Sequence, residues 1–90
     1  MLVLPSELTQ RQATACLHML LQAVRSEAAS EVVADASALE RFDSSALAVL
    51  LACRRECLAD DKTLVVKGLP DKLRELAGLY GVAELLPAQA

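Results

Sequence analysis

Four polar side chains stand between two apolar runs in the middle of the chain: Asp35, Asp43, Ser44 and Ser45. Asp35 closes the apolar run Val32-Val33-Ala34, and Asp43-Ser44-Ser45 opens the longer run Ala46-Leu47-Ala48-Val49-Leu50-Leu51-Ala52. Two carboxylates could share acid–base work or hold a cation, and a serine hydroxyl could accept a phosphoryl group. The same residues could instead cap a helix, because Asp and Ser oxygens accept from the free N–H groups of a first turn. Two carboxylates are a thin set for a metal, and no third ligand lies nearby in sequence. Catalysis would need a base, a nucleophile and an oxyanion donor together, and the chain does not supply that set. The expectation is therefore no catalytic residue, no metal and no cofactor, with Asp35 structuring its loop by receiving N–H groups.

Ser44 carries two readings. It is a cap, or part of one, at the start of a helix. It is also placed where an anion is favoured, since N–H groups and the helix dipole point at it. A phosphate there would add nearly two negative charges and would repel Asp43 and Asp35. That would change the charge of the corner without unfolding the domain, which makes Ser44 a candidate phosphorylation switch.

The remaining reactive side chains have plainer readings. His18 falls on the polar face of the first predicted helix, where it is solvated. Cys53 and Cys57, at i and i+4, could hold a metal, but they lie on the predicted core face and read as inert packing. With Cys16 the cysteines are odd in number, which suits reduced thiols better than a disulfide framework. Arg54-Arg55-Glu56 reads as surface charge.

The elements that position this corner follow from periodicity. Leu2-Val3-Leu4 reads as a short strand closed by Pro5. Thr9 with Gln12 fits a capping box, so a helix should run from about Gln10 to Arg25. Its apolar face is Ala13, Cys16, Leu17, Leu20 and Val24, opposite Arg11, His18, Gln22 and Arg25. Val32-Val33-Ala34 reads as a strand buried on both faces. A loop from Ala36 to Phe42 leads to Asp43, and a second helix reaches about Ala59. Thr63 to Lys67 is a third strand ended by Gly68. Pro70 suits the first position of a third helix, along which Leu69, Leu73, Leu76, Ala77 and Tyr80 recur, with Gly81 ending it. Val82 to Leu86 should make a closing turn, and Ala88-Gln89-Ala90 should be loose. The order is β-α-β-α-β-α, which implies an α/β fold with a small, mostly parallel sheet and right-handed crossovers.

The second helix offers two sides. Ala46, Leu47, Leu50, Cys53 and Cys57, extended by Leu51 and Leu58, should pack on the sheet. Ala48, Ala52, Arg55 and Ala59 form a stripe elsewhere, beside Val49. Alanine is the best helix former and needs no further reason. A stripe of small side chains beginning at Ser44 would also let another protein lie close.

Ninety residues, 54% of them hydrophobic, suit one domain spanning 1–90. With one Phe and one Tyr, the core must be Leu, Val and Ala. The net charge is -3 and no basic stripe is visible, which argues against a nucleic-acid partner. No run reaches the roughly 18 apolar residues of a membrane span. Met1-Leu2-Val3-Leu4-Pro5 lacks the pattern of a secretory signal. These features point to a cytoplasmic location without direct membrane insertion.

The pieces Val32-Val33-Ala34-Asp35-Ala36-Ser37, Phe42-Asp43-Ser44-Ser45-Ala46-Leu47 and Leu50-Leu51 resemble the STAS domain, the fold of the anti-sigma factor antagonists. In that family a strand ends in Asp, and Asp-Ser-Ser-Gly-Leu opens a helix. Here Ala46 stands for the usual Gly, and Pro5-Ser6 for the Gly before Glu7-Leu8-Thr9. An extra N-terminal strand found in many members is expected to be missing. The ending Leu69-Pro70, Leu73, Leu76, Leu79-Tyr80-Gly81-Val82 is similar to the MlaB branch, small STAS subunits of bacterial phospholipid-transport ABC systems that maintain outer-membrane lipid asymmetry. The resemblance implies a non-enzymatic subunit bound to a cytoplasmic MlaF-like ATPase and so peripheral to the inner membrane. It implies a contact surface of Asp43, Ser44, Ser45, Ala48, Ala52 and Arg55. The alternative it carries is an anti-sigma factor antagonist whose Ser44 is phosphorylated by a partner kinase.

Overall fold

The computed structural model describes residues 1–89. In chain order the elements are β1 (Leu2–Val3), β2 (Glu7–Leu8), α1 (Gln10–Ser26), β3 (Glu31–Asp35), β4 (Arg41–Phe42), α2 (Ser44–Ala59), β5 (Thr63–Lys67) and α3 (Asp71–Leu79), followed by a 3₁₀ turn over Ala83–Leu85. β1, β3 and β5 form a parallel sheet in the order β1-β3-β5, with Leu2 opposite Ala34 and Ala34 opposite Val66. The α/β architecture with a small parallel sheet and three helices is the one read from the sequence. A second parallel pair, β2 with β4, is new: Glu7 stands opposite Arg41 and Leu8 opposite Phe42. The segment expected to be loop from Ala36 to Phe42 therefore ends in a short strand. The Ser6 carbonyl accepts from the N–H groups of both Glu40 and Arg41 and anchors it.

The core lies between the helices and one face of the sheet. Leu2, Val32, Ala34, Leu64 and Val66 point into it and are buried. They meet Cys16, Leu20 and Val24 of α1, Leu47, Leu50, Cys53 and Cys57 of α2, and Leu73 and Ala77 of α3. The opposite face carries Val3, which is 59% exposed, together with half-buried Val33 and Val65. The expectation that Val32-Val33-Ala34 is buried on both faces is thus corrected. With the core on one side only, β3 alternates as a strand half in and half out of solvent.

α1 begins at a capping box. The Thr9 hydroxyl accepts from the Arg11 N–H, and the Gln12 side-chain oxygen accepts from the Thr9 N–H at 2.9 Å. α3 starts one residue later than expected, with Pro70 at the cap position and Asp71 as first helical residue. Gly81, at φ 70°, lies in the left-handed region just past its end. Tyr80, expected on the recurring apolar face, is 61% exposed because the helix has ended before it. The tail is less loose than expected. The Val66 N–H donates to the Pro87 carbonyl and the Gln89 N–H to the Val66 carbonyl, so residues 87–89 line the outer edge of β5. Ala90 lies outside the described residues.

Parallel strands joined by helices gather the strand C-termini and the helix N-termini at one end. There the Leu4 N–H donates to the Asp35 carbonyl, and the Ala36 N–H to the Lys67 carbonyl at 2.8 Å. Gly68 follows at φ 68°, with Ser37 so close that a Cβ on Gly68 would lie 2.7 Å from the Ser37 Cβ. Both the backbone sign and the contact require glycine there.

Candidate functional site at the start of the second helix

Asp43 caps α2. Its Oδ1 accepts from the Ser45 N–H at 2.8 Å, and its backbone carbonyl accepts from the Ala46 N–H at 3.0 Å. The other carboxylate oxygen, Oδ2, accepts from the Gln10 N–H at 3.1 Å. Gln10 is the first residue of α1, so one side chain serves two helix N-termini. These donors, Ser45 first and Gln10 second, hold the Asp43 carboxyl below its ordinary pKa of 3.8.

Asp35 makes a separate, local turn. Its Oδ1 accepts from the Ser37 hydroxyl at 2.5 Å and from the Ser37 N–H at 3.0 Å. The hydroxyl first, then the N–H, lower its pKa from 3.8. The two carboxylates are thus each committed to N–H and O–H donors of their own. No hydrogen bond joins them among the described residues, so they do not form the acid–base pair that their proximity in sequence allowed.

Ser44 is the first residue of α2 and is exposed, while Ser45 is half-buried. Among the described residues the Ser44 hydroxyl has no hydrogen-bond partner. The cap at this helix is Asp43, and Ser44 is the exposed residue that follows it. Ala48, Arg55 and Ala59 are exposed and Ala52 is half-buried, so the stripe lies on the outer side of the helix.

The stripe is less purely small than its alanines suggest. Leu58, expected on the sheet side, is 49% exposed, and Leu51 is only partly buried. At 3.6 residues per turn both lie nearer the direction of Ser44 and Arg55 than that of Cys53. Val49, placed beside the stripe by its sequence, is buried. The outer face of α2 therefore combines Ser44, small alanines, one arginine and two leucines. Wheel angle was the signal that could have found the leucines.

Cys16, Cys53 and Cys57 are free and buried. Burial, with Cys57 and then Cys16 adding to it, pushes the Cys53 thiol up to about 12, and burial also raises Cys16 and Cys57. Thiols in that state are poor nucleophiles and poor metal ligands. Among the described residues no three His, Cys, Asp or Glu side chains are arranged to hold a metal ion. His18 is exposed on α1. No described helix is long and apolar enough to cross a membrane.

A parallel sheet, a strand ending in Asp35, and a helix opened by Asp43-Ser44-Ser45 define a STAS domain. Residues 1–87 match the family model described as "Mlab, STAS domain", and the chain belongs to that family. The family is one of regulatory, protein-binding domains that are generally not catalytic. None of the curated proteins compared with the chain matches it.

Proposed function

We propose that this chain is a non-enzymatic STAS subunit that docks on the cytoplasmic, MlaF-like ATPase of a phospholipid-transport ABC system and supports its activity. The docking surface is Asp43, Ser44, Ser45, Ala48, Ala52 and Arg55, now widened by Leu51 and Leu58. The observation that carries this reading is the outward face of α2. It is continuous from an exposed Ser44 to Ala59, with short side chains that let a second backbone approach and two exposed or half-exposed leucines to bury. The match to the MlaB-type family over nearly the whole chain supports the choice of partner class. On this reading the chain reaches the inner membrane only through its partner.

One observation favours a second reading. The Ser44 hydroxyl is exposed and unengaged at a helix N-terminus, which is accessible to a kinase and able to carry an anion. An anti-sigma factor antagonist, phosphorylated at Ser44 by its partner kinase, would use the same corner.

A pull-down from cytoplasmic and membrane extract, with bound proteins identified by mass spectrometry, separates the two. Wild type should retain an ABC ATPase, and Ala52→Glu and Ala48→Glu should lose it. Ala48 is exposed, so that variant should keep the fold. Retention of a kinase-like anti-sigma factor would select the second reading, and identical capture by all three proteins would remove the α2 face from both.

A further inference from the structure

We propose that the Asp43 carboxylate is a two-ended clamp through which a charge placed on Ser44 is felt at the start of α1. The inference rests on reading the Ser44 corner as a regulated docking site, and it adds where the signal goes. Gln10 and Asp43 are 33 residues apart in sequence yet joined by a 3.1 Å hydrogen bond. In the first turn of α1, Thr9 serves the other amides itself. Its hydroxyl takes the Arg11 N–H, and its carbonyl takes the N–H groups of Gln12 and Ala13. The Gln10 N–H is the donor of that turn whose partner belongs to a different element.

A negative group on Ser44 sits at the first position of α2, directly after Asp43 in the chain. It repels the Asp43 carboxylate and strains its longer reach to α1. Of the two Asp43 bonds, that to Ser45 is local and shorter, at 2.8 Å, and that to Gln10 is longer and crosses between elements. The bond to Gln10 is the one released. The β2–β4 pairing, Glu7 with Arg41 and Leu8 with Phe42, holds the two chain segments together meanwhile. The domain stays folded while the first turn of α1, including exposed Arg11, gains freedom.

Amide hydrogen exchange read by two-dimensional NMR tests this on the whole chain. Asp43→Ser keeps an oxygen that caps α2 but is too short to reach α1. It should speed Gln10 exchange by about fivefold, the loss of one net hydrogen bond, and leave Ser45 near its wild-type rate. Ser44→Asp should move Gln10 in the same direction, with a native circular dichroism spectrum. Unchanged Gln10 exchange in Ser44→Asp, or equal acceleration across both helices, overturns the clamp. Partner binding measured on the same variant is a separate readout. Lost binding with an unmoved Gln10 would leave the docking site and remove the clamp, and normal binding with a released Gln10 would do the reverse.

Discussion

The two ends of the α1–α2 layer are held by opposite chemistry. At the end where helices begin, carboxylates and amide oxygens hold backbone N–H groups: Asp43 takes Ser45 and Gln10, Asp35 takes Ser37, and Gln12 takes Thr9. At the end where helices finish, cations hold oxygens. The Lys62 ammonium donates to the Val24 carbonyl and pairs with Asp60, each at 2.8 Å. Arg25 of α1 pairs with Glu56 of α2 at 2.6 Å, and the N-terminal ammonium of Met1 with Glu27 at 2.8 Å. The sorting follows from helix polarity, which leaves N–H groups free at one end and carbonyls at the other. One tie stands apart in exposure: the Lys62 side chain is 11% exposed, whereas Arg25 and the Met1 ammonium at the same end, like Asp43 and Ser44 at the other, are open to solvent. On the proposed reading, the end that meets a partner is the one whose ties a new negative charge would disturb.

The largest effect should come from the strand-end turn beneath Asp35. Gly68→Ala forces a left-handed residue with a Cβ against Ser37. It should cost about 3 kcal/mol in urea denaturation. A loss of less than a third of that would mean that the turn yields and that the helix-starting end is not rigidly built.

Next is the finishing end. Lys62→Ala removes a donor from the Val24 carbonyl and an ion pair from Asp60. It should cost about 2 kcal/mol, because a charged, largely buried hydrogen bond is lost. It should leave partner binding unchanged, which would show the two ends to be functionally separate. If binding fell with it, the contrast between the ends would fail.

The smallest effect is on acid stability. Asp43 and Asp35 titrate below their ordinary 3.8 in the folded chain, so the unfolded chain binds protons first as pH falls. Their contribution is complete above that value and is lost as pH drops through the lower folded values. Glu27, held down by the Met1 ammonium, behaves alike at the other end. Asp43→Ser should therefore lose less stability than wild type as pH falls below about 4, as followed by thermal melts. Equal slopes for the two proteins would mean that Asp43 is not held by its donors in solution.

Much of this was legible in the chain. Thr9 and Gln12 announce the start of α1, Thr63 to Lys67 and Gly68 mark β5, and Asp43-Ser44-Ser45 marks the cap of α2. All are local signals, in which a side chain serves its own helix or a strand its own turn. The bond from Asp43 to Gln10 was not legible. It depends on pairing Glu7-Leu8 with Arg41-Phe42, segments of two residues that show no period. The solvent side of the sheet was missed for a related reason. Val33 and Val65 have the apolarity of core residues, and only the placement of all the helices on the other face exposes them. Leu51 and Leu58 were misassigned by residue type, although the helical period already pointed them outward.

The central claim is that the outer face of α2 from Ser44 onward docks an ATPase, and affinity measures it most directly. Fluorescently labelled wild type, Ser44→Asp and Ala52→Glu should be titrated with the purified ATPase of the phospholipid-transport system from the same source. Wild type should bind, and both variants should bind about tenfold or more weakly, because each buries an unpaired charge at the contact. Equal affinity of all three folded proteins for that ATPase would contradict the account.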